Sequence, residues 1–133
     1  MCRIAGIISD TLTLSAMENG VNRMCNAMHK GGPDGFGFQM VDEFEGKSIQ
    51  TWVYPQDREK GFIDFSYPTK DALSFFSSYV GPFAYEKLAN IQAASVGGGM
   101  ETSSAIFYGE NLITGKPDNK RLQDVVIHEL AHQ

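Results

Sequence analysis

Basic residues are scarce and scattered. Eleven Lys and Arg stand against sixteen Asp and Glu, a net charge of −5 at pH 7. They form no cluster of the kind a nucleic-acid backbone requires. Cysteine is almost missing: Cys2 and Cys25 are the only two in 133 residues, too few for the disulfide framework of a small secreted protein. Long apolar runs are lacking too. The run Ile4 to Ile8 is shorter than a signal-peptide core and far shorter than a membrane span. The sequence therefore predicts a cytoplasmic protein that binds neither membrane nor nucleic acid. Glycines gather at Gly31-Gly32 and Gly97-Gly98-Gly99, but neither group is followed by the Lys-Ser/Thr of a phosphate loop.

What is present is an ordinary globular balance, with 42% hydrophobic and 20% charged residues, enough to build one domain-sized core. Ile4-Ala5-Gly6-Ile7-Ile8, closed by Ser9-Asp10, predicts a buried strand. Ser15 with Glu18 fits a capping box. Met17, Val21, Met24 and Met28 then recur at helical spacing as far as Gly31-Gly32-Pro33, which predicts a helix packing that stripe into a core. Cys25, one step off the stripe, reads as a small hydrophobe. Cys2 differs: with Met1 removed, its thiol and the free α-amine share one residue, and the amine can activate the nucleophile.

Residues 41–48, polar and acidic with one glycine, read as a junction between two differently patterned halves. Beyond it, Trp52 to Tyr54 and Phe62 to Phe65 predict short strand-like runs around the charged turn Asp57 to Lys60. Pro68 and Thr69 then open a helix with Ala72, Leu73, Phe75, Phe76, Tyr79 and Val80 as its buried stripe, ended by Gly81-Pro82. Lys87 to Gln92 and Ala105 to Tyr108 have strand character. A last helix, capped by Asp118 or Asn119, buries Leu122, Val125, Val126 and Leu130.

That helix carries His128-Glu129-Leu130-Ala131-His132-Gln133. Histidines four apart lie on one helical face, so both imidazoles reach a single ion, and the glutamate between them is placed to take a proton from water activated there. This is the H-E-x-x-H pattern of zinc peptidases. Gly97-Gly98-Gly99 before Glu101 permits close approach of a ligand to the backbone.

Two resemblances attach to these motifs. Tyr85-Glu86-Lys87-Leu88, Gly98-Gly99-Met100-Glu101-Thr102, Ala105-Ile106-Phe107-Tyr108 and His128 to Gln133 stand in an order and spacing similar to the aminopeptidase N family of zinc exopeptidases, from about Trp52 onward. The resemblance implies an α+β fold, part of a thermolysin-like (gluzincin) catalytic domain in which the HExxH helix packs on a mixed sheet. It implies Zn2+ as cofactor on His128 and His132, Glu129 as the catalytic carboxylate and Glu101 as the anchor for a peptide's free α-amino group. Gly99 and Met100 would lie on the strand lining the site. Thr102 departs from the family's asparagine. The family's third zinc ligand, a glutamate on the next helix, and its oxyanion-stabilising tyrosine would fall beyond Gln133. The expectation is therefore an incomplete site on a truncated or chimeric chain, with an exposed core that favours self-association.

Met1-Cys2-Arg3-Ile4-Ala5-Gly6-Ile7 and Gly32-Pro33-Asp34-Gly35-Phe36-Gly37 are similar to the start of the glutaminase domain of asparagine synthetases, which are class II glutamine amidotransferases. This implies a strand-helix fragment of an N-terminal-nucleophile hydrolase over residues 1–40, with Cys2 as nucleophile toward the glutamine amide. Arg3 and Lys30-Gly31 depart from that family's pattern. The expected organisation is an amidotransferase-like segment at 1–40, a junction at 41–48 and an aminopeptidase-like segment at 49–133. The function most residues point to is a zinc-dependent aminopeptidase. Glutamine amidotransferase and a non-catalytic fragment are the alternatives.

Overall fold

The structure is a computed structural model and describes residues 11, 13–28, 38–94 and 96–133. The chain divides into two compact units, Met1–Phe36 and Gly37–Gln133. In the first unit, helix α1 spans Leu14–Met28, as the methionine spacing predicts. Its cap is Thr13 rather than Ser15: Thr13 Oγ1 accepts from the Ala16 N–H at 3.3 Å, and its carbonyl accepts from Met17 at 3.0 Å. Ser15 only bonds the Thr13 hydroxyl, at 3.2 Å. Met24, assigned to a buried stripe, is 38% exposed. The expected Ile4–Ile8 strand, Cys2, and the segment from Gly31 to Gly37 lie outside the described residues.

The second unit begins with a hairpin. Strand β1, Phe38–Phe44, pairs antiparallel with β2, Lys47–Val53. Glu45 and Gly46 form the turn, both with positive φ of 49° and 76°, the backbone handedness that matches the twist of two-residue hairpins. Residues 41–48, read as a junction, are thus the centre of this hairpin. Their acidic composition is that of an edge strand: Asp42 faces the helices, while Val41 and Glu43 face outward.

Helix α2 follows from Arg58 to Val80, longer than expected, with Pro68 inside it. The predicted run Phe62 to Phe65 is part of this helix and not a strand, and Thr69 lies in its interior. A proline removes one helical hydrogen bond, but the buried row Gly61, Phe65, Thr69, Ala72 and Leu73 runs through it at helical spacing. Packing on both sides of Pro68 holds the helix together. Gly81 then ends it, as expected, with φ of 111°.

Strands β3 (Lys87–Ala93), β4 (Gly99–Thr102) and β5 (Ala105–Gly109) complete a sheet of order β1-β2-β3-β5-β4. β2, β3 and β5 run parallel, with α2 as the crossover between β2 and β3, and β4 is antiparallel to β5. The architecture is mixed α/β, compatible with the expected α+β class. Helix α3, Lys120–Leu130, packs against α2 and β4. Ile49 and Val53 of β2, Leu88 of β3 and Ile106 and Tyr108 of β5 meet Phe65 and Leu73 of α2 and Leu122, Val126 and Leu130 of α3 in one core.

The other side of α2 is open. Phe75 is 57% and Tyr79 80% exposed, although both were assigned to the buried stripe. Phe62, Ile63, Tyr67, Phe75, Phe76 and Ile127 help to line an apolar groove of about 870 Å3. Among the described residues no helix is long and apolar enough to cross a membrane.

Candidate metal centre

Helix α3 is set in place from its start. Asn119 is the N-cap, its Oδ1 accepting from the Leu122 N–H at 3.4 Å, and its Nδ2 donates to the Leu112 carbonyl at 2.8 Å and to Asp64 Oδ1 at 3.0 Å. Asp64, on α2, is 2% exposed; its Oδ2 accepts from the Thr114 and Gly115 N–H groups at 2.6 and 2.7 Å. One buried carboxylate thus takes up three donors from the loop that leads into the helix, which offsets the cost of burying its charge. Gly115, with φ of 72°, lies against Lys60, where a Cβ would come within 2.7 Å of the Lys60 Cγ.

At the other end of α3, the two histidines converge. His128 Nε2 and His132 Nε2 are 3.3 Å apart, with ring centroids at 5.0 Å. Two imidazole nitrogens bound to one tetrahedral zinc at about 2.0–2.1 Å stand about 3.3–3.4 Å from each other, so the pair has the spacing of two ligands of one ion. His128, Glu129 and His132 each offer an atom within 4.8 Å of the others, with the histidines exposed and the glutamate buried. The two converging imidazoles suit zinc or another first-row ion, with the Glu129 carboxylate beside them.

Glu129 is 6% exposed and lies on β4 at Gly99, where an added Cβ would fall on its carboxyl group. Burial pushes the Glu129 carboxyl above its ordinary value; its hydrogen bond and charge interaction with Glu101 push the same way, and the positive charge of His128 and His132 opposes them. Glu101 moves the other way. Its own backbone N–H lowers it first, then the hydrogen bond from Glu129 and the charge of the two histidines. The two carboxylates thus act on each other and shift in opposite directions. Tyr108, on β5 opposite Gly99, is fully buried, and its hydroxyl has no hydrogen-bond partner among the described residues. Burial raises its pKa well above the ordinary value, and the charge of Glu129 adds to this.

The structure therefore brings together His128, Glu129, His132, Glu101 and Gly99, five of the residues singled out in the sequence. Met100 lies on the same strand and is 52% exposed. Cys2 lies outside the described residues. Sequence reasoning did not find Asp64, Ser104 or the role of Gln133. Gln133 Oε1 accepts from the Ser104 N–H at 2.8 Å, tying the end of α3 to the β4–β5 turn. Its presence in the H-E-x-x-H-Q string was the available signal. No protein-family model matches the chain, and no curated protein matches it either.

Proposed function

We propose that this chain carries part of the catalytic centre of a zinc-dependent metallopeptidase of aminopeptidase type, two of its metal ligands and its catalytic carboxylate, related to the aminopeptidase N family and its gluzincin fold. The observation that carries the reading is the 3.3 Å convergence of the two Nε2 atoms beside two carboxylates, Glu129 and Glu101. His128 and His132 would hold the ion through their converging Nε2 atoms. Bound zinc supplies Lewis-acid polarisation of water and of the peptide carbonyl.

The remaining chemistry belongs to the chain. Glu129, whose carboxyl is shifted upward by burial, takes a proton from the attacking water and returns it to the leaving amine. Glu101, exposed and anionic, accepts the ammonium group of a peptide's first residue and so restricts cleavage to that end. Among the described residues β4 is an edge strand of the sheet, and its outer edge offers an extended peptide a line of backbone hydrogen-bonding groups.

The test is cleavage of an aminoacyl p-nitroanilide by the zinc-supplemented chain, with the N-acetylated substrate as control. Release confined to the free-amine substrate and abolished by Glu129→Gln at unchanged zinc content supports the reading. Equal release from the acetylated substrate, or activity that survives Glu129→Gln, contradicts it.

A further inference from the structure

We infer that Gln133 is a positioning residue for recognition of the substrate's amino end, an inference that rests on the aminopeptidase reading above. Its side-chain amide fastens the β4–β5 turn to the end of the metal-binding helix. Gln133 Oε1 accepts from the Ser104 N–H at 2.8 Å, across 29 residues of sequence. Both sides of this contact are held. The Gln133 N–H donates to the Leu130 carbonyl at 3.1 Å, and the Ser104 carbonyl accepts from the Ala89 N–H at 2.9 Å. Ser104 itself sits at φ 59°, a left-handed conformation that is uncommon for a side-chain-bearing residue.

The consequence for function follows from what the contact joins. Glu101 is three residues before Ser104 on the β4–β5 hairpin, and His132 immediately precedes Gln133. The route Glu101–Ser104···Gln133–His132 is therefore a short mechanical link between the anchor for the ammonium group and the ion-holding pair. An exopeptidase measures one residue between amine and carbonyl, and misplacement by about 1 Å can cost roughly a hundredfold. The Gln133 contact holds that measure by fixing the β4–β5 turn to the end of the metal-binding helix.

The experiment uses the full chain loaded with Zn2+ and two chelating probes, leucine hydroxamate and its N-acetyl derivative, titrated by calorimetry. Direct Zn2+ titration runs alongside. The wild-type chain should prefer the free-amine probe by about tenfold, the worth of a charge-assisted hydrogen bond. Gln133→Ala should lower that preference roughly fivefold, as loss of one hydrogen bond would, with zinc affinity retained. Gln133→Glu, which keeps an oxygen acceptor for the Ser104 N–H, should restore it. A preference unaltered in Gln133→Ala, or a Glu variant no better than Ala, overturns the inference.

If the wild-type chain binds zinc without preferring the amine, the reading of Glu101 fails, and the fastening is then judged separately by amide exchange in the metal-free protein. Faster exchange from Met100 to Ser104 in Gln133→Ala upholds the contact. Unchanged exchange there removes it.

Discussion

Gly61 on α2 rests directly on the side chain of Val53 on β2, leaving no room for a methyl group between helix and sheet. This contact sets how closely the crossover helix approaches the parallel strands, and it lies at the start of the row that continues through Phe65 and Thr69. An exposed helical Gly→Ala change stabilises by about 0.5–1 kcal/mol. Gly61→Ala should do the opposite and cost about 1–3 kcal/mol, because the helix must move off Val53. Urea unfolding of the two proteins measures it, and a neutral or stabilised variant contradicts the packing.

Asp64 connects α2 to the metal helix. Removing its carboxylate in Asp64→Ala leaves the Thr114 and Gly115 N–H groups without their acceptor and frees Asn119 from one of its anchors. A loss of roughly 3 kcal/mol or more is expected from unpaired buried donors. Asp64→Asn keeps one acceptor oxygen and should lose less. Denaturant midpoints for the two variants give the ranking. Equal effects would mean that the acceptor oxygen kept by Asn contributes nothing on its own.

Asp42 ties the edge strand β1 to α2. Its carboxyl is lowered to about 2, chiefly by the hydrogen bond from Lys70, then by Ser66 and the Glu43 N–H. The Lys70 Nζ contact is 2.6 Å and the Ser66 Oγ contact 2.7 Å. Folding lowers this pKa, so the unfolded chain holds the proton more tightly. The stabilisation is complete above the ordinary carboxylate pKa of about 4 and is lost as pH falls toward 2. Asp42→Asn should cost about 1–2 kcal/mol at pH 7, discounted for partial exposure, and nothing near pH 2. Unfolding measured from pH 2 to 7 in both proteins checks this; a constant difference would contradict it.

The local parts of the candidate site could be read from the letters because they follow helical or strand periods. His128 and His132 are four apart on a helix that Asn119 caps, and β3 and β5 fall where the apolar runs predict. What escaped depends on contacts between distant segments. Pro68 marks a helix start by local rules, yet Gly61 and Thr69, neither of them apolar in type, bury the face that carries α2 past it. Glu45-Gly46 is a weak hairpin signal, so an acidic edge strand looked like a junction. Asp64 meets its donors 50 or more residues away, and Gln133 meets Ser104 at a distance of 29. No periodicity encodes such pairs. The aromatic stripe misled for a different reason: α2 buries the side led by Ala72 and Leu73, leaving Phe75 and Tyr79 at the groove.

The central claim is that the His128–His132 pair is built to hold zinc, and calorimetric titration of the purified chain with Zn2+ tests it most directly. One ion per chain with a Kd in the roughly micromolar range or tighter, about −8 kcal/mol, is predicted, weakened at least about tenfold by either His128→Ala or His132→Ala, since each removes one of the imidazole ligands. Absence of saturable binding, or binding that both histidine variants leave intact, would contradict the account.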